Sequence, residues 1–201
     1  MNEIVRMILV LTAICLASAF ALTALNNGLE EQIAQQEEFY VRGPAVRDIF
    51  TGAPNDPVGE AFTIEVEGQS WRIYPWVEGG ELRAVALETA GAGGYGGDVR
   101  VLTGIDLADE EIRGVRVTQH SETPGVGTRV ADPSYLKVYR GLAIQPGTVV
   151  ALKSAGGEIE GVAGATRTSV AVADGVDRAV QFVLTHKDEI PEWSREAHSG
   201  S

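Results

Sequence analysis

Three short segments of the 201-residue chain combine small residues with groups able to bind or react. The first, residues 91–97 (GAGGYGG), sets five glycines around Tyr95. Backbone amides freed of side chains can come close to a ligand, and Tyr95 adds a flat apolar surface or a hydroxyl donor. A flexible connection would have the same composition. No G-x-G-x-x-G between a parallel strand and a helix is present, so this is no dinucleotide fingerprint. The second, residues 120–127 (HSETPGVG), offers a titratable pair in His120 and Glu122 and a hydroxyl in Thr123, with Pro124-Gly125 imposing a turn. His120 is the best acid/base candidate, although a lone histidine is more often a hydrogen-bonded surface or core residue. A hydrolase triad from His120, Ser121 and Glu122 is disfavoured, because three consecutive side chains diverge. The third, residues 160–169 (EGVAGATRTS), places the Thr166 hydroxyl after Gly164 and Ala165, where little hinders approach. A helix starting there directs unsatisfied amides and its positive dipole end at the spot, which suits a phosphate, and Arg167 could add charge. Thr166 or Thr168 could also be a plain helix cap.

The elements that must position these loops can be read from periodicity. Residues 62–68 and 70–79 alternate apolar and polar positions around Gly68, as a hairpin does. Further strands are expected at 82–89, 98–106, 112–119 and 147–154, with a short helix at 133–140. Val172, Val176, Ala179, Val180, Val183 and Leu184 fall on one face of a helix expected from about Thr168 to Lys187, with Pro191 limiting its continuation. Strands grouped centrally with helices at the ends predict an α+β domain with a mainly antiparallel sheet and flanking helices.

Residues 7–25 (MILVLTAICLASAFALTAL) carry no charge and as a helix would span about 28 Å, the thickness of a bilayer core. Arg6 precedes the run and Glu30, Glu31, Glu37 and Glu38 follow it, which predicts the N-terminus inside and the body outside. Ala17-Ser18-Ala19 also fits a signal-peptide cleavage site, but apolar sequence continues beyond it through Leu25, favouring an uncleaved anchor. Both readings export the remainder. Residues 26–48 read as an amphipathic helix that Pro44 would end, and residues 51–60 as a Pro/Gly loop. The expected division is 1–25 anchor segment, 26–60 helical linker and loop, 61–190 binding domain and 191–201 tail.

The formal charge is −12 and the pI about 4.7. Excluding Arg6 and Glu3 leaves 15 Lys+Arg and 27 Asp+Glu after residue 25, so the whole excess lies in the exported part. Such a surface lacks the basic stripe that nucleic acid requires. The single Cys15 cannot build a disulfide within the chain, a Cys-rich zinc site or an iron–sulfur cluster.

Taken together and in order, GYGGDVRVLTGID (94–106), HSETPGVG (120–127) and GATRTS (164–169), preceded by one membrane-spanning run, resemble the FMN-binding G subunit of the Rnf ion-translocating electron-transport complex. The related C subunit of the sodium-translocating NADH:quinone oxidoreductase shares these signatures. The resemblance covers roughly residues 1–190. It implies FMN joined by a phosphoester to the last threonine of a D-x-x-(S/T)-G-A-T pattern, installed by a flavin transferase after export. Thr166 matches that threonine, and Gly164 and Ala165 also match. Glu160 replaces the Asp and keeps a carboxylate one methylene further out, while Ala163 replaces Ser or Thr and removes a hydroxyl. The resemblance further implies that Tyr95, Glu122, Thr123, Gly125 and Thr168 line the flavin. The implied protein is a single-pass component of the bacterial inner membrane with its C-terminal domain on the periplasmic side. There it would relay electrons among the other membrane subunits of an Rnf-type complex coupling ferredoxin and NAD to ion movement, turning over no substrate by itself. The alternative is an exported domain that binds FMN reversibly or acts as a scaffold.

Overall fold

In the computed structural model, residues 2–199 are described; Met1 of the expected anchor segment and residues 200–201 of the expected tail lie outside them. The chain divides after Val41 into two units. The N-terminal unit contains helix α1 (Glu3–Glu37) and the beginning of a π-helical turn, Glu38–Arg42. An 18-residue window of this helical stretch has mean hydropathy 2.5 and none of it is buried, so it is long and apolar enough to cross a membrane.

The second unit begins with α2 (Gly43–Ile49), which has Pro44 in its first turn. The sequence predicts that Pro44 ends a helix; the backbone instead stays helical on both sides of it, in the π-helical turn Glu38–Arg42 directly before α2 and in α2 up to Ile49. Five strands follow: β1 (Phe62–Val66), β2 (Gln69–Glu78), β3 (Glu81–Gly91), β4 (Val99–Asp106) and β5 (Glu111–Gln119). They pair antiparallel in the order β1-β2-β3-β4-β5. The β1–β2 connection is the two residues Glu67 and Gly68, with φ of 53° and 75°, the left-handed pair that a tight hairpin demands. In β2, Pro75 lies beyond the stretch paired with β1, where a missing amide costs the ladder little. Asn55 serves both sides of it, donating to the Pro75 carbonyl and accepting from the Val77 N–H.

After the sheet come a short α3 (Pro133–Leu136) continued by a 3-10 turn (Lys137–Tyr139), then α4 (Thr166–His186) and α5 (Ile190–Ser199). Asp132 caps α3 by accepting from the Ser134 N–H. The strand expected at 147–154 does not form. The Val150 amide donates to Asp177 on α4, and Leu152 makes only an isolated bridge with Ile159. At the start of β5, Ile112 donates to the Leu142 carbonyl and accepts from the Gly141 amide, while the Ile144 amide donates to Glu110 just before the strand.

The sheet has helix on both faces. Ile73, Val85, Leu87, Val101 and Val115 pack with the apolar side of α4, including Val172, Val176, Ala179 and Val180. The opposite face presents Tyr74, Trp76, Ala84, Ala86 and Leu102 to Val46, Ile49 and Phe50. Period-two alternation along the strands assigns one set to each layer. Ion pairs hold α2 at both ends, Arg42 to Glu88 (3.2 Å) and Asp48 to Arg116.

Candidate functional site

The three loops singled out by composition meet at one end of the sheet, around the N-terminus of α4. The first is fixed there by α4 itself. A Cβ built on Gly91 would lie 1.7 Å from the Ala171 carbonyl oxygen, so only glycine lets the end of β3 come this close to the helix backbone. The Thr89 hydroxyl donates to the Gly175 carbonyl (2.6 Å) and the Ala92 amide to Asp174 Oδ2 (2.9 Å). These contacts present residues 93–97 beside the first turns of α4.

The second loop enters through Glu122, which is 6 % exposed. Its Oε1 accepts from the Gly96 N–H (3.0 Å) and its Oε2 from the Thr168 hydroxyl (2.9 Å). One carboxylate therefore joins all three loops. Space for it exists because Gly94, Gly96 and Gly127 lack side chains: a Cβ at Gly94 would lie 2.6 Å from Glu122 Oε1 and one at Gly127 2.5 Å from Oε2, while one at Gly96 would strike the Ser121 carbonyl. Burial pushes the Glu122 carboxyl up, but the bonds from Gly96, Thr168 and the Tyr95 amide, with attraction to His120, outweigh it and hold it below the ordinary carboxylate range. When its ring is neutral, His120 accepts the Glu122 N–H through Nδ1 at 3.3 Å.

The third loop is preset by Ser169. Its buried hydroxyl donates to the Ala165 carbonyl (3.0 Å) and accepts from the Val162 amide (2.9 Å), which fixes the turn before Thr166. Ala165 is the N-cap residue of α4, and no side chain caps that end. Neither Thr166 nor Thr168 plays the capping role their types allow. Thr166 is exposed, whereas Thr168 is buried and spends its hydroxyl on Glu122.

A cavity of about 460 Å³ opens between the loops, with Tyr95, Glu122, Thr123, Thr166 and Arg167 in its wall. Gly164, Ala165 and Thr168 also reach it; Gly125 (φ 75°) sits in the adjoining turn, outside the lining. Val126 and Gly127 line the cavity as well, although nothing in their types marks them individually; both belong to the HSETPGVG segment, which is the signal the sequence carries for them. The Arg167 guanidinium lies 5.3 Å from the centre of the Tyr95 ring, a second bridge between loops. Glu160 and Ala163 do not line this cavity: Glu160 pairs with Lys153 (2.7 Å), which lowers its pKa, and the Ala163 carbonyl accepts from Arg129. Among the described residues no cluster of acids, histidines or cysteines could hold a metal.

The FMN-binding domain family matches residues 94–181, a span that holds the second and third loops and residues 94–97 of the first. A solved C subunit of a sodium-translocating NADH-quinone reductase, from Parabacteroides distasonis, shares the fold at a TM-score of 0.51 and 20% identity, over 78% of this chain and 93% of that one. Whole-chain relatives are nearer in sequence. The G subunit of an ion-translocating oxidoreductase complex from Stutzerimonas stutzeri is 34% identical over 176 residues, covering 84% of this chain and 76% of that protein. Its Vibrio vulnificus counterpart is 30% identical over 190 residues and 89% of each chain. The chain belongs to the family of ion-translocating oxidoreductase complex G subunits and carries the family's FMN-binding domain.

The residues present fit a flavin mononucleotide. The uncapped start of a 21-residue helix and Arg167 offer donors and positive potential to a phosphate, and Tyr95 and Val126 offer apolar surface to a ring system.

Proposed function

We propose that the protein is a membrane-anchored FMN carrier of an Rnf-type complex, with the flavin phosphate esterified to Thr166 by a flavin transferase and the domain facing the periplasm. The position of Thr166 carries this reading. It is exposed, it is the first residue of α4, and it shares a cavity wall with the other two loops. A threonine whose only task was to cap the helix would sit one residue earlier with its oxygen turned to the amides of the first turn.

When bound, FMN supplies the one- and two-electron chemistry. The chain binds and orients it. Thr166 Oγ holds the phosphate end, the free amides of the first turn and Arg167 balance its charge, and the Glu122 bonds keep the two glycine-bearing loops against α4. An ester through a hydroxyl also requires no thiol, in keeping with a chain whose single Cys15 lies in the apolar run.

The test is the intact mass of the denatured full-length chain after coexpression with the transferase. The expected gain is one FMN less one water, absent in Thr166→Ala. Flavin retained on unfolded Thr166→Ala would refute the assignment. FMN that leaves the wild-type chain on unfolding would favour the reversible binding that the altered positions Glu160 and Ala163 leave open.

A further inference from the structure

Among the described residues, Glu122 is the only acid lining the cavity, and it forms no ion pair with Lys or Arg. Its oxygens are held by neutral donors, the Gly96 N–H and the Thr168 hydroxyl. Those bonds fix the charge in place without cancelling it. Two charged or titratable groups share its surroundings: Arg167 from α4, which lines the same cavity and lies over the Tyr95 ring, and His120 from its own loop. We propose that the Glu122 carboxylate sets the reduction potential of the flavin, holding it below the value that the same cavity would give with a neutral side chain. The inference rests on the cavity being the FMN site. Each electron that reaches the flavin without a proton adds negative charge beside a fixed, largely dehydrated anion, and at short range in a medium less polar than water that repulsion is substantial. The carboxylate does not escape by moving, because the glycine contacts around Gly94, Gly96 and Gly127 and both hydrogen bonds fix its position.

Spectroelectrochemical titration of the full-length, flavin-loaded protein at pH 8, above the range in which histidines ordinarily charge, tests this. Glu122→Gln keeps the shape, can still accept from Gly96, and can give an N–H to the Thr168 oxygen, so it removes charge with little else. Its midpoint is expected to rise by at least a tenfold change in the one-electron equilibrium, about 59 mV. Thr168→Val removes one hydrogen bond and keeps the charge, and is expected to move the midpoint by less than half as much. An unchanged midpoint in Glu122→Gln overturns the proposal. So does an equal shift in both variants, which would assign the effect to loop geometry, and so does a folded Glu122→Gln chain that takes up no flavin. Should Glu122→Gln lose its thermal transition, Thr123→Lys, a cation on an exposed residue of the same wall, is expected to raise the midpoint, and no rise there overturns the proposal equally. Intact mass of the wild type is read in parallel. If no flavin is found with the wild type, it is the function assignment that fails; if flavin is present and the midpoint is insensitive to charge, only this inference does.

Discussion

Glu122 is buried beside hydrogen-bond donors that favour its charged form, and that has a measurable consequence in acid. Its folded-state pKa lies below the ordinary 4.5, so the folded chain binds this proton more weakly than the unfolded chain does. The resulting stabilisation is complete above about pH 4.5 and is lost as pH falls through the folded value. Thermal midpoints measured between about pH 3 and pH 6 should therefore fall more steeply for the wild type than for Glu122→Gln, whose side chain does not titrate. Parallel curves would show that this carboxylate contributes nothing to acid sensitivity. At this scale the sequence is informative about residue types and silent about partners. HSETPG marks Glu122 as a chemical residue, but that its oxygens are spent on Gly96 and Thr168 depends on contacts 26 and 46 residues away. Ser169 and Asp174 escape notice for the same reason, since a serine or an aspartate on a helix carries no local sign of the loop it will hold.

Among the elements, α4 is the part that brings the loops together, and its seat depends on glycine at the crossing with β3. Gly91→Ala places a methyl within 1.7 Å of a backbone oxygen, so the helix or the strand must shift. The expected cost is about 1–3 kcal/mol, read from urea denaturation, together with weaker flavin loading because the glycine loop leaves α4. A second close approach lies under α2, where a Cβ on Gly104 would come 2.3 Å from Ile49 Cγ2. Ile49→Ala, which empties that face instead of crowding it, should destabilise the domain by about 2–5 kcal/mol while leaving flavin loading of the folded fraction intact. All five strands and α4 are legible from alternation and from the 3.6-residue stripe. The segment 147–154 reads as a strand and is not one: Val150 and Leu152 are buried at alternate positions as in a strand, but the Val150 amide is taken by Asp177 on α4 and the Lys153 amide by the Ile159 carbonyl, partners the sequence does not reveal. Pro44 misleads because a proline ordinarily breaks the helix it sits in, whereas here a π-helical turn directly precedes α2, and α2, seated on the sheet through Val46 and Ile49, keeps the backbone helical beyond the proline.

For the whole molecule, the separation after Val41 predicts that the two units have separable properties. Neither core cluster of the domain draws a residue from before Ala45. A chain starting at residue 42 should stay soluble and keep the thermal midpoint of the full-length domain, whereas the complete chain should sediment with membranes. Protease added outside intact spheroplasts should degrade the domain if it faces the periplasm; protection until lysis would reverse the proposed orientation. Residues 7–25 and the charge imbalance make the two-part character of the chain plain from sequence, because bilayer and water select such different residues.

The strand order of the sheet also bears on time. Each strand pairs with the one synthesised just before it, so the meander can assemble from local contacts while the chain is still lengthening. By contrast, α4 meets β3 and β4 only after the intervening loops have been made. The amide of Gly96 waits for Glu122, and Glu122 for Thr168. Thr166 thus cannot take its place before the chain through α4 has been made, and an enzyme that recognises it in that setting would modify finished domains and pass over nascent ones.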